Sequence, residues 1–98
     1  MKPVRFSPKV ESDLEEIGDF IARDNPRRAV SFIDELIELC ELIGRSPDAF
    51  QYLPSLGPDI RRAVHGRYSI FNSVQPHEVR IERVLHGARR VTQDTFDP

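Results

Sequence analysis

Apolar residues along this chain repeat with two periods. Val4 and Phe6 alternate with Pro3 and Arg5, the period of two that a strand imposes, and predict a short first strand. From Pro8 the spacing lengthens. Val10, Leu14, Ile17 and Ile21 recur at intervals of four and three, the stripe of an amphipathic helix ending near Asp24. Ser7-Pro8 supplies its start, an N-cap hydroxyl ahead of a proline whose fixed φ suits the first helical position. Asn25-Pro26 repeats that signal. The second helix then carries Ala29, Val30, Phe32, Ile33, Leu36, Ile37, Leu39, Cys40, Leu42 and Ile43 before Gly44 closes it. Its apolar face is too wide for one contact. The first helix covers one flank and a sheet another, and the remainder is either wrapped by the domain itself or left for a partner.

Residues 45–59 mix Pro47, Pro54, Pro58 and Gly57 with Phe50, Tyr52, Leu53 and Leu56, the composition of an ordered crossing loop pinned by its apolar groups. Strands follow at 60–64, 67–74 and 78–85, with His65-Gly66 as a two-residue hairpin turn and Pro76 in the second turn. The order is β-α-α-β-β-β, an α+β fold with a helical hairpin packed on one face of a small antiparallel sheet. One position breaks the pattern. Val79, Ile81 and Leu85 share a strand face by period two, and Arg83 falls among them, so Arg83 is paired, bulged outward or functional.

At 98 residues the chain makes a single domain, 1–98, with a thin core. Its formal charge of −2 hides an asymmetry: residues 1–59 carry 7 Lys+Arg against 12 Asp+Glu, whereas residues 60–98 carry 7 against 4. The acidic and basic halves are therefore expected to do different jobs. Only Lys2 and Lys9 among the basic residues are lysines, and arginine's planar fork suits fixed recognition of carboxylate, phosphate or aromatic groups. Cys40 stands alone, which excludes an internal disulfide and fits a reducing cytoplasm. No stretch is long and apolar enough for a signal peptide or a membrane span, and the expected location is cytoplasmic.

Candidate chemistry gathers in the basic half. Arg83, His86, Arg89 and Arg90 stand within eight positions at the end of the last strand, and Arg61, Arg62 and Arg67 lie on the strands before it. His65 and His77 fall in turns without metal-ligand spacing, so neither a metal nor a cofactor is expected.

Four ordered pieces carry a resemblance over nearly the whole chain: Asp24-Asn25-Pro26 before an apolar helix, Leu56-Gly57 with Ile60-Arg61-Arg62, Gly66-Arg67-Tyr68-Ser69-Ile70-Phe71, and Arg83-Val84-Leu85-His86-Gly87-Ala88-Arg89. Together they resemble the ParE branch of the RelE/ParE toxin superfamily. That resemblance implies the toxin of a bacterial type II toxin-antitoxin pair, neutralised by a ParD-like antitoxin and acting as a poison of DNA gyrase. Nucleic acid would be met only indirectly, and no membrane is involved. The alternatives are a ribosome-dependent mRNA endonuclease of RelE type, or a degenerate toxin that binds only its antitoxin. A ribonuclease needs proton-transfer groups and cations on the phosphorane, for which Arg61, Arg83 and His86 are the candidates. A gyrase poison needs no catalysis, only an anchored surface, here Arg61, Arg67, Arg83, His86, Arg89 and Arg90. For the antitoxin contact the apolar excess of the second helix points to Phe32, Leu36, Leu39 and Ile43.

Overall fold

Proline at the first helical position sets the start of both helices, α1 at Pro8–Ala22 and α2 at Pro26–Arg45. The computed structural model describes residues 2–87 and 89–96; Ala88 of the C-terminal motif and Asp97 and Pro98 of the tail lie outside the described residues. Asn25 caps α2 as expected, its side-chain oxygen accepting the Arg28 amide at 3.0 Å. Ser7 does not cap α1 with its side chain. Its Oγ donates to the Glu82 carbonyl at 2.7 Å and its amide to the Ile81 carbonyl at 2.9 Å, which extends the pairing of the first strand, β1 (Val4–Phe6).

Gly44 also differs from expectation: α2 runs past it to Arg45, and Gly44 is buried inside the helix. A Cβ there would lie 2.3 Å from Val4 Cγ2 and 3.2 Å from the Lys2 carbonyl oxygen. Glycine is needed because β1 crosses the helix end at close range, not because the helix stops.

The remaining strands are β2 (Gln51–Tyr52), β3 (Ile60–His65), β4 (Tyr68–Val74) and β5 (Val79–His86), in the order β1-β5-β4-β3-β2. The α+β class and the helical hairpin on an antiparallel sheet stand as expected, with two additions. The crossing loop contributes the edge strand β2, and β1 pairs with β5 in parallel, Val4 opposite Val79. The hairpin turn shifts by one residue from the expected His65-Gly66. His65 pairs with Tyr68 in the ladder, and the turn is Gly66-Arg67, with Gly66 at φ 59° in the first central position.

A bulge in β5 resolves the face conflict. Phe71 opposes Arg83 while its neighbour Asn72 opposes Ile81, so Glu82 is an extra residue and the alternation flips across it. Val79, Ile81 and Val84 consequently pack under the helices with Val10, Ile17, Phe32, Leu36 and Ile43. Leu85, expected on that face, lies on the other, with Ile60 and Phe71. Leu53 and Leu56 of the crossing loop and Val91 and Phe96 of the tail cover this second cluster, and the Phe96 ring stands 5.3 Å from that of Phe71. Both faces of the sheet are thus covered, one by helices and one by loop and tail.

Candidate functional site

The charged side chain that broke the strand pattern has a partner on α1. Asp13, only 6 % exposed, lies on the same helical stripe as Val10 and Ile17, beside the part of β5 that β1 is too short to reach. Its carboxylate accepts Arg83 Nε and Nη2, each at 2.8 Å, and the Val84 amide at 3.0 Å. The Arg83 side chain is 14 % exposed, and the hydrogen bonds to Asp13 raise its already high pKa further. Arg83 is therefore tied to the fold through a bidentate pair.

Arg61, on β3, is committed to the crossing loop. Its Nη1 donates to the Phe50 carbonyl at 2.8 Å, Nη2 lies 3.7 Å from Asp48, and the guanidinium sits 5.2 Å from the Tyr52 ring centroid. Arg61 thus pins the crossing loop while Arg83 pins α1, with β4 between the strands that bear them. Arg61 and Arg83, two of the three candidates for RNA cleavage, are thus bonded to different structural partners.

The other four predicted target-binding residues converge. Arg67, in the Gly66-Arg67 turn, accepts the Gly87 amide on its carbonyl at 2.7 Å, and the Arg89 amide donates to the His86 carbonyl at 3.0 Å. Arg67, His86, Arg89 and Arg90 are all exposed at this one end of the sheet. The His86 ring stands edge-on to Tyr68, centroids 5.4 Å apart at 87°. Tyr68, His86 and Arg89 also line a cleft of about 450 Å³ against α1, whose wall includes Phe20, Arg23 and the acidic Glu16 and Asp19. Phe20, on the outer flank of α1, is exposed. On the same row, His65 Nε2 meets Glu35 Oε1 at 2.8 Å, and Glu35 also accepts Arg28. Those bonds, Arg28 first and His65 second, hold the Glu35 carboxyl below its usual range.

The residues predicted to meet an antitoxin are mostly core. Phe32, Leu36 and Ile43 are buried under the sheet and Leu39 is half-buried against them, so the first three offer no surface to a partner. The apolar residues of α2 that remain exposed are Val30, Ile37 and Leu42. Among the described residues, no group of three or more His, Cys, Asp or Glu side chains is placed to hold a metal ion, and no helix is long and apolar enough to cross a membrane.

Residues 4–91 match the model of a family described as the ParE toxin of type II toxin-antitoxin system, parDE. The chain belongs to the ParE toxin family. A solved chain described as "Chromosomal ParDE TA system from P. aeruginosa" shares the fold with a TM-score of 0.74 at 20% identity, covering 88% of this chain and 96% of that chain. No curated protein sequence matches. As a ParE-family protein, the chain is the toxin component of a type II toxin-antitoxin system.

Sequence reasoning missed Asp13 in this ParE chain, although a signal was available. Asp13 interrupts the apolar stripe of α1 just as Arg83 interrupts that of β5, and two off-pattern charges of opposite sign are candidates for each other. Tyr68 and Phe20 as cleft walls carried no comparable mark, because an aromatic on an amphipathic stripe looks like core.

Proposed function

We propose that this ParE-family toxin is neutralised by a ParD-like antitoxin and poisons DNA gyrase by binding it, without cleaving RNA. The observation that carries this reading is that Arg61 is bonded to the crossing loop and Arg83 to Asp13 of α1, on strands with β4 between them, while Arg67, His86, Arg89 and Arg90 gather at one exposed end. Phosphorane stabilisation requires cations converging on one phosphate. Recognition of a large enzyme requires only a compact basic and aromatic patch, which this end provides together with Tyr68 and Phe20. An acidic surface of gyrase, or the DNA it holds, is the complementary partner. The antitoxin segment is expected to be amphipathic, laying apolar side chains on the exposed Val30 and Ile37, which are seven residues apart and so lie two turns along one stripe of α2.

Purified gyrase supercoiling relaxed plasmid, with and without the antitoxin-free chain, tests the reading. Lost supercoiling with accumulation of cleaved DNA, reversed by added antitoxin and weakened by Arg89→Ala, is the expected result. A folded sample that leaves gyrase untouched but cuts mRNA on ribosomes would refute it.

A further inference from the structure

The sheet face turned away from the helices carries a hollow of about 260 Å³ whose wall holds Arg62, Ser69 and Phe71 on the strands, Ser55 in the crossing loop and Arg89 beyond β5. Among the described residues no carboxylate lines it, in contrast to the α1 cleft with its Asp13, Glu16 and Asp19. Arg62 is also unlike its neighbours Arg61 and Arg83. Its Nη2 donates to Gln51 Oε1 at 2.7 Å, but its Nε is buried and meets no acceptor among the described residues. Nε and Nη2 form the side-on fork of the guanidinium, the same pair of donors that Arg83 turns on Asp13. In Arg62 half of that fork is unused and the other half holds a neutral amide. A buried donor left unpaired in a native protein calls for an explanation, and a ligand is one.

We propose that this hollow binds a phosphate group, held by the Arg62 fork with Arg89 at its mouth. Gln51 belongs to the exposed two-residue strand β2, so its side chain can swing aside for a charged acceptor, which makes the stronger hydrogen bond. The hydroxyls of Ser55 and Ser69 supply donors from other directions. A tetrahedral group with several oxygens uses donors spread around it, whereas a planar carboxylate would use only the fork. The proposal goes beyond the gyrase reading and does not depend on it, since phosphate binding is a property of the isolated chain.

The test is a titration of inorganic phosphate into the isotopically labelled full chain, following the Arg62 Nε–H and Ser69 amide signals by NMR. Saturable shifts of both signals are expected. Arg62→Gln should weaken binding about tenfold, the scale of one lost charge-assisted contact. Arg89→Gln, at an exposed position that leaves the fold intact, should weaken it less, and Arg45→Gln at the end of α2 should leave it unchanged. Shifts that do not saturate, or an affinity that neither Arg62→Gln nor Arg89→Gln lowers, would overturn the proposal, as would acetate binding as tightly as phosphate. A short single-stranded oligonucleotide separates the sources. If it binds more tightly than inorganic phosphate, with an affinity that falls as salt rises, the ligand is a nucleic-acid backbone. Equal affinity identifies a free phosphate. Either result supports the site.

Discussion

Asp13→Ala removes the acceptor that joins α1 to β5, and its cost follows from what is left behind. The Arg83 guanidinium loses both bonds to Asp13 and the Val84 amide loses its acceptor, all beside the apolar core. Breaking a buried ion pair from one side costs about 3–5 kcal/mol. The Arg83 side chain is still 14 % exposed and the Glu16 charge favours its cation, so the lower end, about 3 kcal/mol, applies. The stranded Val84 amide adds about 1 kcal/mol. The sum of about 4 kcal/mol is large against the 5–15 kcal/mol expected for a domain of this kind. In urea, with a slope of roughly 1.5 kcal/mol per M, the unfolding midpoint should fall by between about 2 and 3 M at unchanged slope. The double variant Asp13→Ala/Arg83→Met removes the unpaired charge as well and should recover most of the loss, leaving about 1–2 kcal/mol for the amide. A single variant within about 1 kcal/mol of the parent, or a double variant less stable than the single, would refute this account of the pair.

Gly44→Ala, which in an ordinary helix interior stabilises by about 1 kcal/mol, should here destabilise by about 1–3 kcal/mol, because the added methyl meets Val4 at 2.3 Å. A raised melting temperature would contradict the close packing of β1 on α2. Burial, followed by the nearby Glu41 charge, pushes the Cys40 thiol up to about 12. A disulfide reagent at mildly alkaline pH should therefore label Cys40 only through unfolding, faster in Asp13→Ala, and rapid labelling of the native chain would disprove its burial. The lowered Glu35 pKa fixes a sign. The stability it contributes is full above the ordinary value of 4.5 and is lost as pH falls through the lower folded-state value. Glu35→Gln should flatten that acid limb of the melting curve, and parallel profiles for the two proteins between about pH 5 and pH 3 would rule the coupling out.

Periodicity made the elements legible because it reports which face of one segment is apolar. Val10, Leu14, Ile17 and Ile21 marked α1, Asn25-Pro26 marked the start of α2, and the ordered short motifs from Asp24 to Arg89 carried the family. The basic end was legible as well, since Arg67, His86, Arg89 and Arg90 flank the turn and the last strand, whose ends adjacent antiparallel strands bring together.

Local pattern could not say which neighbour an apolar or charged residue would meet. The extra residue Glu82 moved Leu85 to the second core and Val84 to the first, a shift of one position that no period of two reveals. The breadth of the α2 stripe read as surplus for a partner, but the sheet and α1 bury Phe32, Leu36 and Ile43 from two directions. Arg83 looked available until α1 placed Asp13 along the stretch of β5 that β1 does not cover. The sequence alone determined the helices, the main strands and the family, but not the edge strand β2, because backbone preference and one-sided apolarity are properties of contiguous residues. Only the tertiary structure decided which arginines hold the fold and which face outward, because that depends on register and on contacts between residues as far apart as 13 and 83.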